Sequence, residues 1–147
     1  MAQAQKQVRI IEPLERFVNR INLVGCYARV SSDSEDQLNS YNNQVDFYES
    51  YVNSLENSKL VKIYTDEGIT GTRMDKRDGF LQMIEDCRKG LINTIITKSI
   101  SRFARNITET LSVVRELKSI GVSVYFMTEK IDTAKMGSEM MLSLIHI

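Results

Sequence analysis

Residues 21–36 read INLVGCYARVSSDSED, an apolar run with small residues that ends at Val30 and passes straight into a cluster of serines and acids. Ten residues of this composition predict a buried β-strand, and SSDSED supplies helix-capping oxygens and first-turn acids just beyond it. From there Leu38, Tyr41, Val45, Tyr48, Val52 and Leu55 recur every three or four positions, the spacing of an amphipathic helix. The same alternation repeats downstream. LVKIYT (60–65) is a second strand, and DEGITGTRMDKRD (66–78) is a polar loop containing glycine. Phe80, Leu81, Ile84 and Cys87 then mark a helix that stops at Gly90. TIIT (94–97) is a third strand leading into KSISRFARN (98–106), with Thr108, Leu111, Val114, Leu117 and Lys118 continuing as a helix to about Gly121. VSVYFM (122–127) is a fourth strand. Met136, Met140, Met141, Leu144 and Ile145 open a last helix at Ser138. Strands alternating with helices at this spacing predict an α/β domain, a parallel sheet with helices on both faces.

The chain of 147 residues is 42% hydrophobic and 26% charged, with no tryptophan and a single proline, Pro13, which fits one globular domain able to bury a core. Residues 1–21 are polar and weakly basic and read as a poorly packed leader, so the domain is expected over 22–147. LINTIITKSI and MMLSLIHI are the longest apolar stretches. Both fall short of the ~18 to 20 residues of a membrane span, and a cytoplasmic protein is expected. Cys26 and Cys87 form neither a CxxC pair nor a ligand cluster and read as buried thiols.

Nineteen basic and nineteen acidic residues cancel, yet their distribution is uneven. Asp33 to Ser58 holds six acids and no Lys or Arg, whereas Lys98 to Arg105 holds three cations and no acid. Positive charge is concentrated locally, as an anion site needs.

In parallel α/β sheets ligands sit beyond the carboxyl ends of the strands, here the segments 27–32, 66–77 and 98–106. YARVSS sets Tyr27, Arg29 and Ser31 at alternate positions, a hydroxyl beside a guanidinium as the strand runs out. Taken alone, a serine there is more often a helix N-cap than a nucleophile. KSISRFARN puts Arg102 and Arg105 three apart, on one face if the segment is helical, with Lys98 at the strand end. Guanidinium forks grip phosphate oxygens bidentately, so the pattern points to a phosphodiester. Gly68, Thr70, Gly71, Arg73 and Arg77 fill the intervening loop.

Absences narrow the chemistry. The one histidine, His146, precludes a Ser/His/Asp triad within the domain and a histidine-based metal site. Neither GxxxxGK[ST] nor GxGxxG occurs, which removes the usual cradles for ATP or a dinucleotide. No metal, cofactor or membrane partner is expected.

Together YARVSS, DEGITGTRMDKRDGF and ITKSISRFARN resemble the catalytic domain of the serine recombinases, the resolvase and invertase family, especially its large members and transposon-borne integrases. The resemblance runs from about Leu23 to Leu144. It implies a resolvase-like (flavodoxin-like) three-layer domain with a mostly parallel sheet of four to five strands, and site-specific DNA recombination or integration. By this resemblance Ser31 is the nucleophile that forms a 5′-phosphoserine link to DNA. Arg29, Arg102 and Arg105 match the arginines that hold the scissile phosphate, Arg77 matches a further active-site arginine, and Tyr27, Gln44 and Thr70 match substrate-binding positions. Ser101 stands where small resolvases carry aspartate. The implied partners are DNA and further copies of the chain, as homodimer or homotetramer. The final helix reads as the start of the long helix that follows the domain in this family. A non-catalytic α/β dimerisation module and a flavodoxin-like ligand-binding domain are the alternatives that the residues themselves leave open.

Overall fold

The computed structural model describes residues 21–31, 34–68, 77–104 and 106–135. The leader and the expected last helix lie outside the described residues. Strands β1 (Asn22–Ser31), β2 (Ser58–Gly68), β3 (Thr94–Thr97), β4 (Ser123–Phe126) and β5 (Ile131–Asp132) form one sheet in the order β2-β1-β3-β4-β5. The first four are parallel and β5 runs antiparallel to β4. Helices α1 (Ser34–Asn53), α2 (Asp78–Arg88), α3 (Ile100–Phe103) and α4 (Ile107–Ser119) connect them, and a 3-10 turn, Thr133–Lys135, follows β5.

The alternation of side chains along β1 builds two cores. Val24, Cys26 and Ala28 face α1 and pack with Tyr48, Val52 and Ile96. Tyr27 faces the other way, into the larger cluster of Phe80, Met83, Phe103, Leu111, Leu117 and Phe126. These rings meet edge to face, Tyr27 on Phe80 at 5.4 Å, Phe80 on Phe103 at 5.1 Å and Phe103 on Phe126 at 5.4 Å. The chain of rings thereby ties β1, α2, α3 and β4 together. Both cysteines are buried and free. Helices α2 and α4 are closed by Gly90 and Gly121, whose φ of +79° and +83° only glycine adopts cheaply. Among the described residues no helix is long and apolar enough to cross a membrane.

Two expectations need correction. The strip 98–118 is two helices, because Ala104 adopts extended backbone after α3 and Asn106 begins α4 as its N-cap, its side chain accepting from the Glu109 amide at 2.8 Å. Arg102 therefore sits in the last turn of a four-residue helix, and residue 105 lies outside the described residues. Of the apolar repeat, Tyr41 on α1 and Leu55, just past its end at Asn53, are exposed. Among the described residues of that repeat, Tyr48 and Val52 are buried on the sheet. The fifth strand, two residues long, agrees with the expected four to five strands, although no apolar alternation announces it.

Candidate active site

Strand register gathers the site at the carboxyl edge. Tyr27 pairs with Tyr64 and Thr97, Arg29 with Asp66, and Ser31 with Gly68. The pairing of β1 with β3 ends at Tyr27 and Thr97, beyond which β1 continues through Arg29 and β3 gives way to α3 and Arg102. The side chain of Ser31, with residues 70 and 105, lies outside the described residues. Arg29 is half-buried and Arg102 exposed.

Tyr27 is fully buried, and its hydroxyl donates to Asp66 Oδ2 at 2.8 Å. Burial, and then this bond to a carboxylate, push the phenol up to about 12, so it stays a proton donor. Asp66 also accepts from the amides of Gly79 at 2.8 Å and Phe80 at 2.9 Å. A carboxylate on β2 thus caps α2, whose own N-cap residue Arg77 makes no side-chain cap bond. Tyr27 acts on the edge from beneath, by fixing Asp66.

Arg77 reaches across the larger core rather than into solvent. Its guanidinium carbon lies 3.9 Å from the centre of the Phe80 ring and 5.7 Å from that of Tyr27. Nη1 bonds Glu109 Oε1 at 3.0 Å and Nη2 donates to the Phe103 carbonyl.

On the α1 side the edge is concave. Gln44 Nε2 donates to the Arg29 carbonyl at 3.2 Å, while Tyr48 and Thr97 donate to the Tyr27 carbonyl at 3.2 and 3.1 Å. Gln44, Phe47, Tyr48, Lys98 and Met127 line a cleft of about 360 Å³ here. Burial raises the Tyr48 phenol to about 12, with nearby Arg102 pulling weakly the other way, so this guanidinium is within electrostatic reach of the cleft. A larger cleft of about 540 Å³ lies at the opposite, amino edge, lined by the first residues of β1 to β4. Its lining includes Asp132 and Lys135 but none of the candidate site residues.

Of the residues that the sequence singles out, Tyr27, Arg29, Gln44, Arg77 and Arg102 are among those described, whereas Asp66 and Glu109 are not singled out by the sequence. Asp66 reads as an ordinary loop acid after YT, and only strand pairing sets it opposite Arg29. Glu109 reads as a first-turn helix acid, with nothing to announce its partner 32 positions earlier. Among the described residues no cluster of three His, Cys, Asp or Glu could hold a metal ion.

A 2-1-3-4-5 sheet, with β1 ending at Ser31 and with Arg29 and Arg102 toward its carboxyl edge, defines a doubly wound α/β domain. The family described as "Resolvase, N terminal domain" matches residues 24–147, and the chain belongs to that family. It is 32% identical over 118 residues to the transposon Tn552 resolvase of Staphylococcus aureus, covering 76% of this chain and 49% of that protein. The chain spans about half the length of this curated relative. A resolvase family site-specific recombinase from Streptococcus pneumoniae superimposes with a TM-score of 0.68 at 26% identity, covering 85% of this chain and 83% of the other. The N-terminal catalytic domain of TP901-1 integrase has the same fold, with a TM-score of 0.68 at 22% identity over 84% and 90% of the two chains.

Proposed function

We propose that this chain is the catalytic domain of a site-specific serine recombinase acting on DNA. Ser31 Oγ attacks the phosphorus of a DNA phosphodiester. The bond to the 3′ oxygen breaks, that oxygen takes up a proton and leaves as a 3′-hydroxyl, and the 5′ phosphate stays on the serine. Attack by a 3′-hydroxyl from the exchanged strand reverses the step and frees Ser31, so no ATP is consumed.

Arg29, Arg102 and Arg105 neutralise the non-bridging oxygens, where charge builds in the transition state. Gln44 fixes the Arg29 backbone, Thr70 approaches the phosphate, and Tyr27 and Arg77 support the edge from the core side. DNA is the partner, recombination proceeds in a homodimer or homotetramer, and the protein works in the cytoplasm without a nucleotide cofactor. The observation that carries the reading is that β1 and β3 pair in parallel as far as Tyr27 and Thr97, which supports a site where Arg29 and Ser31 follow on β1 and α3 with Arg102 follows on β3.

Incubating the complete gene product with a nicked half-site oligonucleotide should give a covalent adduct that maps to the Ser31 peptide. An adduct persisting in Ser31→Ala would exclude this nucleophile.

A further inference from the structure

We propose that Glu109 is a positioning residue for this site, acting through Arg77. The inference rests on the recombinase reading and extends it to a residue that touches no substrate. Arg77 has a side chain only 10% exposed, packed flat on Phe80, and one planar fork engages two anchors. Nη2 holds the Phe103 carbonyl, and Nη1 holds the Glu109 carboxylate at 3.0 Å. These anchors bracket the turn between α3 and α4. Arg102 immediately precedes the first anchor, and residue 105 lies between the two.

A guanidinium pinned to β1 and α2 from one side therefore fixes the base of the segment that carries Arg102. Its Nε is buried without a hydrogen-bond partner in the structure, and among the described residues Glu109 is the carboxylate paired with the buried charge. Removing the carboxylate leaves a buried cation beside apolar rings. The fork then swings toward water and unpins Phe103, and with it Arg102. Such a change misplaces transition-state contacts by fractions of an ångström while leaving the charges that attract DNA in place. Helix α4 itself keeps its start, because Asn106 bonds the backbone amide of Glu109 and not its side chain.

The test compares Glu109→Ala, Glu109→Gln, Arg77→Ala and the double variant Arg77→Ala/Glu109→Ala in the complete gene product. It reads the rate of covalent adduct formation at saturating half-site DNA, the DNA concentration for half saturation, and hydrogen exchange of the Phe103 and Ala104 amides. Glu109→Ala is expected to lower the saturated rate by at least ~10-fold with half saturation unchanged within about twofold. Exchange at the turn should quicken. Glu109→Gln, which keeps an oxygen facing the guanidinium, should recover most of the rate, and in the Arg77→Ala background Glu109→Ala should cost nothing further. An unchanged or faster rate in Glu109→Ala, or losses that multiply in the double variant, would overturn the inference while leaving the recombinase reading intact. No adduct from the unsubstituted protein would overturn both.

Discussion

The Tyr27 hydroxyl and the Asp66 carboxylate, 39 positions apart in the chain, meet at 2.8 Å, and the same carboxylate caps α2 through two backbone amides. Strand β1, strand β2 and the start of α2 are thereby joined at one buried point directly below Arg29. Replacing Asp66 by alanine strands a buried phenol and two amides at once and should destabilise the domain by about 3 kcal/mol. Tyr27→Phe removes one donor from a carboxylate that keeps two others and should cost about 1 kcal/mol. Urea unfolding followed by circular dichroism measures both, and equal costs for the two variants would contradict the shared cap.

Gly79 sits where α2 leaves the loop, and a β-carbon there would lie 2.4 Å from the Thr65 carbonyl oxygen. Backbone cannot yield as a side-chain tip does, so the helix start must move away from β2 and from Asp66. Gly79→Ala should therefore destabilise by about 1–3 kcal/mol even though alanine favours helix. A neutral or stabilising effect in the same urea titration would show that α2 is free to shift.

Alkaline behaviour follows from burial. Tyr27 and Tyr48 are raised from 10.0 to about 12, and Cys26 and Cys87 from 9.0 to about 12, each chiefly by desolvation. The unfolded chain gives up these protons at lower pH, so above the ordinary values the folded state binds more protons than the unfolded one. The stability these groups contribute is complete below pH 9, declines between pH 9 and 12, and is gone above the folded values. Phenolate absorbance from Tyr27 and Tyr48 should appear only together with loss of helical circular dichroism. Neither thiol should react with iodoacetamide in the native protein near pH ~8. Ionisation of Tyr27 or Tyr48 around pH 10 in a fully folded sample, followed by residue-resolved NMR, would overturn this account.

How far the fold is legible in the sequence depends on what each element buries. TIIT has no side exposed, reads as a continuous apolar run, and occupies the strand Thr94–Thr97. Gly90 and Gly121 close their helices because the left-handed turn excludes other residues, a local rule that needs no tertiary knowledge. The break between α3 and α4 escapes the periodic reading, since Phe103 is buried by the aromatic chain while Ala104 turns extended to let Asn106 cap. The site divides the same way. Arg29, Ser31 and Arg102 announce themselves by residue type at strand ends, whereas Asp66 and Glu109 act through partners that only the folded chain supplies.

Arg102 offers the most direct test of the catalytic reading, because its position separates chemistry from folding. It is exposed in the last turn of α3, and the core there is carried by its neighbour Phe103. Arg102→Ala should leave the urea midpoint nearly unchanged, within about 0.5 kcal/mol. One lost phosphate contact should weaken DNA binding modestly and reduce the slope of log affinity against log salt by about 1. Covalent adduct formation should fall much further, by ~100-fold or more, since a guanidinium aimed at a phosphate is worth most where charge peaks in the transition state. Arg102→Lys should restore binding better than rate, because an ammonium neutralises charge but does not grip two oxygens at once. Excess EDTA should leave the unsubstituted rate unchanged, the arginines supplying the positive charge at the phosphate. If Arg102→Ala lost binding and rate in equal proportion, its role would be to hold DNA rather than to stabilise the reacting phosphate, and the assignment would have to move to other cations at this edge.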